Sequence, residues 1–231
     1  MRKNYAIRCG SRTGSTLLCE LLRSTNRCGK PEEYVNPSLI DGYRKEIGLP
    51  QDANMIAYRN KLFNKRSSEN GVFGIKVVGI TEQAANFENM EMKTSHWIRL
   101  YREDKILQAI SRYKAWATNI WHRKPGVVVP SVPYSFKDID WCLKEIVAEE
   151  KHFDDFFADK DHISISYEFD LLEDPEQTAI ACLTYMDINI EDLPNFKSSG
   201  NLHRDRQSYE WQERYLKDVV WASYEDWHPQ P

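Results

Sequence analysis

The chain has 231 residues, which suffices for one α/β domain with a sizeable core, and we expect a single domain over residues 1–231. Its net charge of −4 and its pI near 5.9 argue against a nucleic-acid binder that relies on phosphate neutralisation. Five scattered cysteines without a C-x-x-C pair argue against a disulfide framework or a zinc site. An odd number of cysteines without a pairing pattern fits a reducing cytoplasm, and no stretch approaches the roughly 18 apolar residues of a membrane span, so we expect a cytoplasmic protein without a transmembrane segment.

The first predicted elements are a strand, a glycine-rich loop and a helix. Residues 5–9 have the pattern of a short strand, and residues 10–14 begin and end with glycine. An apolar helical period with four leucines follows. The hydroxyls of Ser15 and Thr16 stand where the helix should begin, and they can accept hydrogen bonds from its first N–H groups. Those N–H groups and the positive end of the helix dipole predict an anion site for a phosphate or a sulfate.

The loop lacks the lysine of a P-loop that transfers phosphate. Such a loop needs G-x-x-x-x-G-K-[ST], whereas here three residues separate Gly10 from Gly14, and Ser15 follows directly. A cation stands inside the loop as Arg12. A transferring sulfuryl group carries less negative charge than a phosphoryl group, so arginines and backbone dipoles can stabilise it without a metal. The loop therefore favours sulfuryl transfer; the alternatives are a metal-dependent nucleotide kinase with a degenerate loop and a non-catalytic nucleotide-binding module.

The remaining chain alternates between strands and helices. The predicted strands cover residues 71–78, 96–102 and 163–167. The predicted helices cover residues 82–92, 104–122, 138–158, 175–185 and 209–224. The predicted loops cover residues 29–37, 124–136 and 194–208, and residues 38–70 carry only a weak helical pattern at 55–63. This alternation predicts an α/β, P-loop-like, three-layer fold with a mainly parallel central sheet and helices on both faces.

Two motifs in the first forty residues resemble those of a known family. Residues 11–16, S-R-T-G-S-T, resemble the 5′-phosphosulfate loop of sulfotransferases that use 3′-phosphoadenosine-5′-phosphosulfate (PAPS). Residues 29–34, G-K-P-E-E-Y, are similar to the G-E-P-x-E-F segment that follows this loop in the bacterial trehalose sulfotransferase family. The resemblance implies an enzyme that takes PAPS as cosubstrate, releases 3′-phosphoadenosine-5′-phosphate (PAP), needs no metal and sulfates a hydroxyl of a carbohydrate or glycolipid. The residues that would bind the phosphosulfate are Ser11, Arg12, Thr13, Gly14, Ser15 and Thr16.

Two neighbouring carboxylates are candidates for the catalytic base. A sugar hydroxyl becomes a good nucleophile only when its proton is accepted, and a carboxylate beside the loop can accept it. In the family this carboxylate stands two residues after the proline, which is Glu33 here; Glu32 is the alternative, and either could be an ordinary exposed glutamate. Arg12 is the second catalytic candidate, because a guanidinium can stabilise charge on the departing phosphate. Lys76 lies in a predicted strand, where a lysine must reach an anion or turn outward.

Further nucleotide contacts are implied by the resemblance. In the family, an arginine at the end of a central strand and a serine nine positions later hold the 3′-phosphate, and these are Arg102 and Ser111 here. Tyr167 matches a position near the adenine, although a ring at a strand end often serves packing alone. Arg204 and Arg206 match a C-terminal basic loop that can close over the nucleotide.

The acceptor side and the assembly are only outlined by the sequence. Residues 38–70 and 124–137 do not match the family, and they lie where an acceptor-side insert or lid would be expected. The resemblance therefore does not imply trehalose itself as the acceptor. Aromatic residues in the final predicted helix would allow a homodimer if they are exposed.

Overall fold

The computed structural model describes residues 3–121, 130–196 and 206–227. The strands are β1 (Lys3–Cys9), β2 (Val72–Val78), β3 (His96–Tyr101) and β4 (His162–Ser166). The helices are α1 (Ser15–Ser24), α2 (Ile40–Glu46), α3 (Met55–Arg66), α4 (Glu82–Asn89), α5 (Lys105–Thr118), α6 (Phe136–Phe157), α7 (Pro175–Tyr185) and α8 (Arg206–Trp227). A short π-helix, Tyr167–Leu171, follows β4. None of the described helices is long and apolar enough to cross a membrane.

The four strands form one parallel sheet in the order β2-β1-β3-β4. The pairing aligns Cys9 with Val78 on one side and with Leu100 on the other, and it aligns Tyr101 with Ser166. After β1 the chain continues to β2 at one edge of the sheet, whereas after β3 it continues to β4 at the opposite edge. The loops that follow the neighbouring strands β1 and β3 therefore diverge. Such a divergence opens a crevice at the carboxyl ends of the strands, where α/β sheets bind their ligands.

The chain divides into two compact units: unit 1 holds residues 1–103 and 149–200, and unit 2 holds residues 104–148 and 201–231. In unit 1 the sheet is covered on both faces. Ile7 packs with Leu18 of α1 and with residues of α7, whereas the neighbouring Ala6 belongs to a cluster with Tyr58 of α3 and Phe87 of α4. Successive side chains of a strand point to opposite faces, so these clusters lie on opposite sides of the sheet and form the predicted three layers.

Unit 2 is built from α5, residues 136–148 of α6, and α8. Its core contains Ile110, Ile139, Trp211 and Tyr215. Trp211 and Tyr215, two of the aromatic residues that the sequence suggested for a homodimer contact, are therefore buried within unit 2. Within residues 206–220, the part of α8 whose side chains are described, the exposed large apolar side chains are Tyr209, Leu216 and Val220.

The predicted elements agree with the observed ones in type, but several boundaries differ: the helices predicted over 82–92 and 104–122 end at Asn89 and Thr118. Residues 38–70 contain two helices, and Tyr58 and Leu62 of α3 join the core of unit 1. The strand predicted to end at 167 ends at Ser166, where the π-helix takes over. The loop predicted over 194–208 gives way to α8 at Arg206. Parts of the predicted loops at 124–136 and 194–208, including Arg204, lie outside the described residues.

Gly29 fixes the path of the segment that carries the two glutamates. Its φ is +67°, and a Cβ at this position would lie 2.8 Å from the carbonyl oxygens of both Arg66 and Val72. Replacing Gly29 with alanine therefore combines a left-handed backbone with a backbone clash, and we expect it to lower the free energy of unfolding by about 3 kcal/mol. Urea denaturation measures this loss.

Gly48→Ala is the matched control for Gly29→Ala. Gly48 has a φ of +68°, but nothing lies within 4 Å of the position its Cβ would take. The control therefore carries the backbone strain without the clash, and we expect a smaller loss of stability. Equal losses in the two variants would show that the close approach at Gly29 is unimportant.

Candidate active site

The loop after β1 ends in a glycine that begins α1. Gly14 is the N-cap of α1 with a φ of 82°, and no side chain caps the helix. The predicted caps are therefore wrong: Ser15 is already the first helical residue, and neither its hydroxyl nor that of Thr16 accepts from the first turn. A hydroxyl of the loop instead closes the loop itself, because the buried Thr13 Oγ1 donates to the Gly10 carbonyl at 3.0 Å. An uncapped helix start in a glycine loop has the electrostatics of an anion site.

Two guanidinium groups converge on this loop. Arg12 lies within it at a φ of 63°, a conformation that is unusual for any residue other than glycine. Arg102 directly follows β3, is 7% exposed, and donates from Nη1 to the Arg12 carbonyl at 3.5 Å. Burial lowers the pKa of Arg12, and the positive charge of Arg102 lowers it further. Two cations held close enough to oppose each other would be stabilised by a bound anion.

Glu168 partly balances this charge and positions Arg102. Its Oε1 accepts from Arg102 Nε at 3.1 Å, and its Oε2 accepts from the backbone N–H of Glu103 at 2.8 Å. No sequence motif pointed to Glu168. Its position in the π-helix after β4 was not apparent, because a single extra residue in a helical turn leaves no periodic signal in so short a segment.

Tyr167 forms a wall of the same loop. A Cβ at Gly14 would lie 2.4 Å from Tyr167 Cδ2, and the Arg102 guanidinium lies 5.0 Å from the centre of the tyrosine ring. The ring therefore contacts the loop where α1 begins. The close approach of the ring is also a physical reason for glycine at position 14, beyond its backbone angle.

Glu33 lies in a nearly buried network of donors. Its Oε1 is 2.8 Å from Lys76 Nζ, and the two side chains are only 11% and 6% exposed. Its Oε2 accepts from Asn36 Nδ2 at 2.7 Å and from Gln83 Nε2 at 3.2 Å. Lys76 thus takes the first of its two predicted options and reaches an anion. These donors favour the ionised carboxylate over the neutral acid.

The Lys76–Glu33 pair lies beside the start of the loop. Burial raises the pKa of Cys9, the last residue of β1, and the charges of Lys76 and Glu33 act on it in opposite directions. The same two charges act on the buried thiol of Cys19 in α1. Glu32 points elsewhere, because its carboxylate pairs with Arg23 in the last turn of α1 at 3.1 Å.

The predicted site residues fall in both units. The loop residues 11–16, Glu33, Arg102 and Tyr167 belong to unit 1. Ser111 lies in α5 of unit 2. Arg206 is the first residue of α8 in the same unit, where it is exposed and pairs with Glu210 one helical turn later at 2.8 Å. Arg206 is thus helical rather than part of the predicted basic loop.

The family model and two named relatives indicate one enzyme class. Residues 4–218 match the family model described as Stf0 sulphotransferase. The chain is 24% identical to trehalose 2-sulfotransferase of Mycobacterium tuberculosis, over 71% of this chain and 76% of that protein. It is 23% identical to trehalose 2-sulfotransferase of Mycolicibacterium smegmatis, over 93% and 95% of the two chains. The crystal structure of a sulfotransferase from Alicyclobacillus acidocaldarius matches with a TM-score of 0.55 at 14% identity, over 95% of this chain and 94% of that one, which supports the predicted fold.

Proposed function

Because the chain belongs to the Stf0 sulphotransferase family, we propose that it transfers a sulfuryl group from PAPS to a hydroxyl of a carbohydrate or glycolipid, in line and without a metal. The observation that carries the choice of donor is the convergence of Arg12 and Arg102 on an uncapped helix start. A nucleotide that bears a phosphosulfate and a 3′-phosphate offers separate anions to such a site. The two relatives named trehalose 2-sulfotransferase support a carbohydrate acceptor.

The loop would hold the phosphosulfate through its backbone. The N–H groups at the start of α1 and the Arg12 guanidinium would bind its oxygens, while the Tyr167 ring limits the width of the site. Arg12 would also stabilise the charge that develops on the departing phosphate. We retain Arg102 and Ser111 as ligands of the 3′-phosphate and Arg206 as a further nucleotide contact, each to be tested by substitution.

Glu33 would act as the general base. Its carboxylate is kept ionised by Lys76 and two amide donors, and its position near the loop start suits a group that accepts a hydroxyl proton as attack begins. Glu32 is less suited, because its carboxylate pairs with Arg23 at the other end of α1. The proton would move from the acceptor hydroxyl to a Glu33 oxygen while Lys76 keeps its charge.

Calorimetric titration with PAP tests the donor site. We expect the wild-type protein to bind PAP, and Arg12→Met to bind it roughly tenfold to a hundredfold more weakly, because hydrogen bonds to charged groups contribute about 1.5–3 kcal/mol. Arg23→Met is the matched control, since Arg23 lies in the last turn of α1 and pairs with Glu32. It should retain the wild-type affinity.

Two outcomes would contradict the proposed donor. One is a wild-type protein that does not bind PAP or binds it as tightly as Arg12→Met does. The other is tight binding of ATP that depends on Mg²⁺, which would favour the kinase alternative. A protein that binds PAP but transfers sulfate from PAPS to no member of a panel of sugars and glycolipids that includes trehalose would be a non-catalytic binding module.

A further inference from the structure

A pocket opens in unit 1 on the face of the sheet opposite α1. Its volume is about 450 Å³, and its lining includes Phe87 of α4, Trp97 of β3, Phe156 of α6 and Arg8 of β1. Arg8 lies between Ile7 and Cys9 in the strand, and both of those residues pack on the α1 side, so Arg8 points to the other face. We call this cavity the Arg8 pocket.

Arg8 is a buried cation without a polar partner among the residues that the structure describes. It is 4% exposed, and its Nε has no acceptor. The contacts of its guanidinium are with aromatic rings, at 4.8 Å from the centre of Phe156 and 5.7 Å from that of Phe153. Burial lowers the pKa of Arg8, as expected for a charge removed from water. A buried charge without a partner is strongly destabilising, so a fold that retains one requires an explanation.

The neighbouring arginine on this face shows how such a charge is usually accommodated. Arg99 follows Trp97 by two residues in β3 and therefore points to the same side of the sheet. Its Nη2 lies 3.1 Å from Glu150 and 2.6 Å from Asp154. Two carboxylates thus neutralise Arg99, while the aromatic pocket beside it leaves Arg8 with rings alone.

The rim of the pocket limits the charge that a ligand can carry. Glu88, Glu91 and His152 also line the pocket and are exposed. The negative charge of Glu88 raises the pKa of Arg8, against the larger effect of burial, but no ion pair joins the two in the described part of the chain. Two carboxylates at the entrance disfavour phosphates and other multiply charged anions, whereas the single cation inside suits one negative charge.

We propose that the Arg8 pocket binds a small organic carboxylate with an aromatic or aliphatic body, the carboxylate against the Arg8 guanidinium and the body against Trp97 and Phe87. A carboxylate forms a bidentate pair with a guanidinium, and aromatic walls bind an apolar body. This site lies on the opposite face of the sheet from α1, and the inference goes beyond the proposed sulfuryl transfer and does not depend on it.

Calorimetry with 3-phenylpropionate and its neutral analogue 3-phenylpropanamide tests the site in the full chain. We expect the acid to bind with one-to-one stoichiometry and the amide to bind at least about tenfold more weakly. Arg8→Met should weaken binding of the acid by at least the same factor, whereas Arg99→Met should retain it. Glu88→Gln should tighten it, because a negative charge is removed from the entrance.

Stability gives an independent readout. Arg8→Met replaces an unpaired cation with an apolar side chain of similar length, so we expect the variant to melt at the wild-type temperature or above it. Added 3-phenylpropionate should raise the melting temperature of the wild type but not that of Arg8→Met. Arg99→Met should melt lower, because it leaves Glu150 and Asp154 without their cation. Equal binding of acid and amide, absence of saturable binding of the acid, or an Arg8→Met variant that is clearly less stable would each overturn the proposal.

Discussion

Replacing Glu33 with glutamine is expected to lower the turnover number of sulfate transfer by about 10²–10⁴-fold, the usual contribution of a positioned general base. Glutamine keeps the size of the side chain, but it cannot take up the proton of the acceptor hydroxyl. The affinity for PAP should stay near the wild-type value, because the loop and Arg12 are unchanged. Transfer from PAPS to the best acceptor of a panel that includes trehalose, together with calorimetry for PAP, measures both quantities.

Glu32→Gln is the matched control, since it is the same change one residue earlier. Glu32 pairs with Arg23 rather than with Lys76, and we expect its variant to turn over near the wild-type rate. A loss confined to Glu32→Gln would place the base at Glu32. Urea denaturation of both variants is needed, because glutamine at position 33 leaves Lys76 beside a neutral partner, and a lower rate must be separated from a smaller folded fraction.

The parallel sheet was predictable because β1 and β2 are largely buried on both faces. Such strands give short, mostly apolar runs, as in β2, where Lys76 is the one charged residue and every residue except Val78 is buried. α3 was harder, because its buried positions are few and stand among basic and amide side chains. Its helical period is therefore weak, and the burial of Tyr58 and Leu62 comes from packing against the sheet rather than from the local pattern.

The candidate site was predictable where a motif specifies it and not where distant residues meet. The loop with Arg12 and the segment with Glu33 were identified from their sequence motifs. The Lys76–Glu33 pair depends on the approach of residues 29–34 to β2, where the Lys76 N–H donates to the Glu32 carbonyl. The Tyr167 wall depends on a π-helix, so neither feature has a local signal in the sequence. The sequence of β1 also gives no indication that Arg8 is buried without an acidic partner.

The hydroxyl caps predicted for α1 were wrong for a specific reason. Ser15 and Thr16 have the composition of a helix start, but Gly14 adopts a left-handed backbone and takes the N-cap position itself. The residue types typical of an N-cap therefore begin one residue after the actual N-cap. That difference matters for function, because a side chain in the cap position would compete with a ligand for the same N–H groups.

Replacing Lys76 with methionine is expected to lower the free energy of unfolding at neutral pH by about 3–5 kcal/mol, the usual effect of removing one partner of a buried ion pair. Glu33 would keep its two amide donors but lose its counter-charge. The reason is burial rather than distance: Lys144 lies at the same 2.8 Å from Asp140, but it is 76% exposed. Lys144→Met is therefore the matched control, and its loss should not exceed about 1 kcal/mol. Urea denaturation measures both losses.

The pH dependence of the loss identifies Lys76 as its source. Burial alone would lower the pKa of Lys76, but the neighbouring Cys19 and Glu33 raise it, and the net shift is upward from 10.5. Cys19 has its own pKa raised to about 12 by burial and is neutral at pH 7, so Glu33 is the effective partner. A raised pKa means that the stabilisation is fully present below the unfolded value near 10.5 and is lost as the pH rises through the folded value.

The difference in stability between the wild type and Lys76→Met should therefore be constant from pH 7 to about 10 and should shrink in more alkaline solution. The double variant Glu33→Gln plus Lys76→Met should recover much of the loss, because it also removes the buried carboxylate whose partner Lys76 the single variant takes away. The free energy of unfolding of Lys76→Met could instead lie within about 1 kcal/mol of the wild-type value, as is expected for Lys144→Met. That result would mean that water reaches the ion pair, and Glu33 would then not be the buried, ionised base that the mechanism requires.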